Sequence, residues 1–179
     1  VDSEHQAGRL MNLYVATYQL HSTLEPDEVQ DTIAEIAINL LGAERFVLLL
    51  RRDDDAAEGC EVALESGLDG GDELYADAHY GGGDPMVDAT LADGVLRLGP
   101  TERSPALAAV PLRVQDVIVG ALVVLKLFDH KPILRAEDRD LLDLLSAHAA
   151  SALFAARLYA AKDRKLRSLE SLVKLARGG

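Results

Sequence analysis

The chain has 179 residues, 49% of them apolar and 4% aromatic, with one cysteine and no tryptophan. That length supports one domain with a sizeable aliphatic core, and a single cysteine excludes an internal disulfide and any cysteine-cluster metal site. The net charge is −12, and residues 53–93 carry thirteen Asp/Glu and no Lys or Arg, so the domain body is a poor surface for nucleic acid, whose phosphates dominate affinity.

The charge is uneven. Residues 162–179 hold six Lys/Arg against two Asp/Glu, leaving an acidic body and a basic tail. The acidic segment reads as a solvated surface, or as one that docks a basic partner. No uninterrupted run of 18 apolar residues occurs, so no membrane insertion is expected. The start shows no basic-then-apolar signal segment. The expected location is cytoplasmic.

In chain order, residues 1–8 read as a loose lead-in. Leu10, Leu13, Tyr14, Thr17 and Leu20 recur at helical spacing. His21, Ser22 and Thr23 interrupt that helix. A second helix begins near Glu25, with Pro26 at its first position and Asp27 and Glu28 in its first turn. Proline needs no donor there, and acids suit the positive end of the helix dipole. Val29, Ile33, Ile36, Ala37, Leu40 and Leu41 form its apolar face, and Gly42 is placed for a left-handed cap.

Residues 46–50 are a continuous apolar strand, which implies burial on both faces and a central position. A polar turn is expected at 53–59. Cys60, Val62 and Leu64 then alternate with Glu61, Ala63 and Glu65, as in a strand with one wet face. Residues 66–94 are rich in glycine, with short helical patches near 72–79 and 85–92. Residues 95–98 form a short strand, and 106–114 and 117–128 a hairpin across Gln115 and Asp116. Pro111 cannot donate to a ladder and marks an edge or bulge. A final helix starts near Arg135 or Ala136 and runs toward Arg177, about 63 Å at ~1.5 Å per residue.

Sequential antiparallel strands with helices on one face give an α+β fold: a twisted antiparallel β-sheet and a long C-terminal helix. Three parts are expected, an N-terminal lead-in helix over 1–22, a domain over 23–160 and a basic helical extension over 161–179. Stepping by four and three along the last helix from Leu141 to Ala176 gives a heptad seam with polar breaks at His148 and Lys162, and its members include Leu145, His148, Ala152, Ala155, Tyr159, Leu166, Leu169 and Val173. Up to Leu153 the seam serves equally as the face packed on the sheet. Beyond Tyr159 no domain mass remains to cover it. With Leu13 and Tyr14 of the first helix, these residues are the candidate dimer interface.

Several stretches together resemble a GAF domain, a sensory and regulatory module related in shape to PAS. They are the opening helix 24–41, the strand 46–50, Pro111 and Leu112, the run 119–122, Glu137 and Asp138 opening the last helix, and Leu141, Leu142 and 147–153 along it. The resemblance implies a sheet with helices behind it and a ligand pocket on the other face, covered by the variable middle segment. The cyclic-nucleotide signature of some members is mostly missing: Lys126 and Asp138 fit loosely, and Leu134 stands where Phe is expected. Cys60 has no neighbouring His to anchor a bilin, and one cysteine cannot support the family's sulfoxide reductase chemistry. No cofactor or metal is expected.

The pocket candidates are Leu48, Leu50, Val110 and Leu112 from the strands, capped by Tyr75, His79, Tyr80 and Met86. The resulting expectation is a non-enzymatic regulatory module. It dimerises through its N- and C-terminal helices and relays a small-molecule or partner signal to another signalling protein or an attached output domain. The alternative is a ligand-free protein-interaction scaffold whose pocket is filled by its own side chains. A redox or metal-assisted activity at Cys60 or His79 is the third reading.

Overall fold

The computed structural model describes residues 2–51 and 59–178; the polar turn expected at 53–59 lies, apart from Gly59, outside them. Helix α1 spans Asp2–Leu20, so the expected lead-in is already helical. Its opening turn carries Glu4, an acid that favours the positive end of the helix dipole. After the break at 21–25, α2 runs over Pro26–Glu35 and continues as a π-helical turn over Ile36–Leu41, ended by Gly42 at φ +79°. Glycine adopts that left-handed conformation without the steric cost other residues meet.

The six strands are β1 (Ala43–Arg51), β2 (Cys60–Ser66), β3 (His79–Tyr80), β4 (Arg97–Leu98), β5 (Ala108–Val114) and β6 (Val117–Leu127). They form one antiparallel sheet in the order β3-β2-β1-β6-β5-β4, which puts the most apolar strand near the centre, as its sequence requires. Leu48 pairs with Leu64 on one side and Leu122 on the other. Gly120 lies between Leu50 and Leu112, and a Cβ there would sit 1.9 Å from the Leu49 carbonyl oxygen, so only glycine fits at this crossing. Pro111 lies beyond the end of β4, on an edge, and its carbonyl accepts from Ser146 Oγ at 2.5 Å.

The last helix is continuous over Ala136–Gly178. It comprises α4 (Ala136–Leu144), a π-helical turn (Leu145–Ala149) and α5 (Ala150–Gly178). Asp138 sets its start: one carboxylate oxygen accepts from Arg135 N at 2.6 Å, the other from Lys131 Nζ at 2.7 Å, and Lys131 also donates to the Leu41 carbonyl at 2.6 Å. The entry of this helix is thereby tied to the end of the α2 segment. By length and composition the helix would also pass for a membrane span, with a mean hydropathy of 1.3 over its most apolar window. Of that window 44% is buried within the domain, so the core uses part of its apolar content.

Alternation along the central strands divides the core in two. Phe46, Leu48, Leu50, Val110, Leu112, Leu122 and Val124 face α1, α2 and the last helix, meeting Leu20, Val29, Ile33, Leu142 and Leu145. Val47, Leu49, Ala109, Ala121 and Val123 face the opposite way. There they are covered by a 3-10 turn (Glu73–Ala78), by β3 and by α3 (Pro85–Asp93).

Candidate functional site

The pocket predicted from the sequence joins two groups that the fold separates. Tyr75, Tyr80 and Met86 lie in the cover and are buried; His79 is there too, half-buried. Leu48, Leu50, Val110 and Leu112 lie on the far side of the sheet, sealed in the helix-side core. The residues that meet the cover are instead Val47, Leu49, Ala109, Ala121 and Val123, each fully buried. A strand apolar at every position carries no signal of which face is which, and a shift of one residue exchanges them.

A buried polar network holds the cover. Asp84, 2% exposed, caps α3 by accepting from Met86 N (3.0 Å) and Val87 N (3.3 Å), while its second oxygen accepts from Ser104 Oγ at 2.8 Å. Ser104 Oγ in turn accepts from Ala106 N at 3.2 Å, so the network joins the cover to the approach of β5. The Tyr80 hydroxyl accepts from Asp84 N (3.1 Å) and donates to Asp88 (2.5 Å). Tyr75 stacks on Tyr80 with ring centroids 5.2 Å apart, yet its hydroxyl is buried without a hydrogen-bond partner among the described residues. Burial raises the pKa of both phenols; at Tyr80 the bond to Asp88 adds to it. The cover is also strained at the end of its 3-10 turn, where Asp77 and Ala78 both take positive φ, 58° and 57°, a conformation unfavourable for residues with a Cβ.

Cys60 lies in the same layer. Burial pushes its thiol pKa up, against a smaller opposing pull from Arg51, which keeps it in the unreactive protonated form. Among the described residues no three His, Cys, Asp or Glu side chains are grouped to hold a metal. Lys126 and Asp138, the loose cyclic-nucleotide matches, are engaged elsewhere. Lys126 pairs with Glu44 and Asp129, and Asp138 caps the last helix.

Two grooves lie beside these layers. One, about 440 Å³, runs along β2 and the 3-10 turn, between Val62, Leu68 and Tyr75 and a rim of Glu65, Asp69, Asp72, Glu73 and Asp77. The other, about 380 Å³, lies where the last helix leaves the sheet, between Ile118 and Val119 on one side and Leu153, Phe154 and Leu158 on the other.

This architecture matches known proteins. The GAF domain family profile matches residues 25–154. The chain belongs to the GAF domain family. No curated protein sequence is significantly similar to it. Among solved structures, the GAF domain of an Acinetobacter phosphoenolpyruvate-protein phosphotransferase superposes with TM-score 0.65 at 15% identity, covering 85% of this chain and 96% of that one. Residues 122 to 287 of a methyl-accepting chemotaxis protein give 0.60 at 18% identity, covering 80% and 98%. The GAF domain of the potassium sensor histidine kinase KdpD of Escherichia coli gives 0.55 at 19% identity, covering 86% and 98%. At such identities the likeness speaks for the fold. GAF domains are generally sensory, non-catalytic modules, found in multidomain signalling proteins.

Helix α1 and α5 beyond Leu153 lie largely outside the GAF match, and there the candidate interface residues divide. Leu145 and Ala152 are sealed in the domain's own core and unavailable to a partner, while Leu13 is half-buried against that core. His148 is half-buried and its Nδ1 lies 3.2 Å from His21 Nε2, joining the end of α1 to the long helix. Tyr14, Ala155, Tyr159, Leu166, Leu169 and Val173 remain exposed. Sequence reasoning missed the neighbours that extend both stripes: Leu10, Met11 and Tyr18 on α1, and Phe154, Leu158, Leu172 and Leu175 on α5 are exposed as well. Their helical spacing was the available signal.

Proposed function

We propose that this GAF domain is a non-enzymatic regulatory module that dimerises through α1 and the outer half of α5. A change in the domain then passes along the last helix to another signalling protein or an attached output domain. The observation that carries this reading is the division of one continuous helix. Its inner half is core, with Leu142, Leu145 and Ala149 fully buried, while Leu166, Leu169 and Val173 are 59%, 58% and 49% exposed. A helix rigidly seated in a domain at one end and apolar without cover at the other transmits a shift at its base to whatever covers its tip. In this reading residues 1–22 and 161–179 are the dimerising and relaying segments, and residues 23–160 the sensing body, in the cytoplasm.

The signal enters on the cover face. A small ligand displaces the strained cover and takes the place now filled by Tyr75, Tyr80 and Met86, with His79 at its edge. The unpartnered Tyr75 hydroxyl supplies a bond to a polar atom of the ligand, since leaving it unmade costs about 1–3 kcal/mol. The complete burial of Val47, Leu49, Ala121 and Val123 favours the second reading, a ligand-free scaffold whose acidic surface takes the partner.

The test is to shorten the chain after Ala160 and compare self-association with the full chain by sedimentation. The expected result is a dimer that becomes a monomer with its fold intact. Persistence of a full-strength dimer would remove the outer helix from the account.

A further inference from the structure

The β2 side of the sheet is left open by its own chain. β3 pairs with β2 only at Cys60 and Glu61, while β2 runs on to Ser66 with β1 alone beside it. Among the described residues no other backbone hydrogen bond reaches 62–66. The groove of about 440 Å³ described above follows this stretch, and residues 62, 63, 64 and 65 all line it. Successive side chains of a strand point to opposite faces. A hollow that touches consecutive residues therefore lies along the strand's edge, where the main-chain groups not used by β1 point outward.

The groove has an apolar floor and an acidic rim. Leu68 and Tyr75 lie opposite the strand. Tyr75 is 4% exposed, and its hydroxyl has no partner among the described residues. On the rim Asp69 and Asp72 are held by Arg45. Glu65, Glu73 and Asp77 are exposed and have no ion pair among the described residues, and no Lys or Arg occurs in 53–93 to neutralise them.

These features select the occupant. An open edge gains hydrogen bonds only from an extended chain, which adds to the sheet as a strand. A second copy of β2 is disfavoured there, because edge-to-edge pairing sets the acids of both copies against each other. A strand bearing Lys or Arg turns the same contacts into attractions. Residues 62–66 span about 17 Å at ~3.4 Å per residue, which sets the length of such a segment.

We infer that the open edge of β2 takes an extended, Lys/Arg-rich segment of another protein as an added strand, its main chain bonding to residues 62–66 and its cations meeting Glu65, Glu73 and Asp77. This deepens the scaffold reading above, in which the acidic surface takes the partner, by giving the partner's chemistry and its seat.

The test titrates the full chain into a fluorescent peptide, Lys-Val-Lys-Val-Lys-Val-Lys, and follows anisotropy at near-physiological salt. A second peptide is N-methylated at two adjacent central amides, which blocks both of its edges and keeps its charge. Binding of the parent peptide is expected, with slowed amide exchange in 62–66. Methylation is expected to weaken it at least roughly tenfold. Glu65→Lys combined with Glu73→Lys, both exposed positions, is expected to raise Kd roughly tenfold. A methylated peptide that binds as well as its parent, or a Kd unmoved by the two reversals, overturns the strand-addition site and leaves the acidic surface as a seat for basic partners. A parent peptide that does not bind overturns both.

Discussion

The two faces of the sheet are built by different means. The helix side is a run of aliphatic side chains from regular elements, with Leu20, Ile33, Leu48, Leu122 and Leu142 fully buried. The cover side is short, irregular and polar at its joints, held by Asp84, Ser104 and Tyr80 and strained at Asp77 and Ala78. The first face is a platform that seats the long helix; the second is a cover joined by a few polar contacts. A signalling module needs both, since what moves must be cheaper to open than what it acts upon.

That contrast predicts a ranking of effects. Leu142→Ala, on the helix side, is expected to cost about 2–5 kcal/mol of folding stability in urea titration. A loss below roughly 1 kcal/mol would show that the platform is not closely packed. Asp84→Ala removes an N-cap and leaves the Ser104 hydroxyl proton without its acceptor. We expect a loss of about 1–3 kcal/mol, with faster amide exchange confined to α3 and its neighbours. Exchange rising evenly across the sheet would mean that the cover does not open separately.

The tyrosine pair sharpens the comparison within the cover. Tyr80→Phe should cost about 1–3 kcal/mol by breaking the bond to Asp88 and leaving Asp84 N without its acceptor, whereas Tyr75→Phe deletes a hydroxyl that has no partner among the described residues and should be neutral or stabilising. Equal losses in thermal unfolding would show that Tyr75 is hydrogen-bonded in solution. Both phenols have raised pKa values in the folded state, so their neutral forms are favoured there. Stability from this source is complete below the unfolded tyrosine value of about 10 and falls as pH rises above it. Tyr80→Phe should flatten that alkaline decline; an unchanged decline would assign it to other groups. The smallest effect belongs to Ala78→Gly, which relieves the positive φ and should add about 0.5–1 kcal/mol.

The helix side was the legible side. Its periodicities are strong, and Pro26, Gly42 and the Gln115-Asp116 turn punctuate it by known rules, so the elements and the central strand follow from residues alone. Two things did not. A strand apolar at every position does not say which way Leu48 points, and only its pairing and the helices above it decide. The cover depends on Asp84, Ser104 and Tyr80, which are distant in sequence and read singly as loop residues. The seam of the last helix was visible as a pattern, and the lack of domain mass beyond Tyr159 placed its division near Ala156, the last buried residue of the helix. Buried Leu145 and exposed Leu166 occupy the same kind of heptad position and differ only in whether a sheet lies beneath them.

The outer half of that helix carries the central claim, and native mass spectrometry of the full chain beside the chain ended after Ala160 tests it most directly. The account predicts a dimer for the first and a folded monomer for the second, with any added small-molecule mass retained by both. Two monomers, or two equally stable dimers, would contradict it.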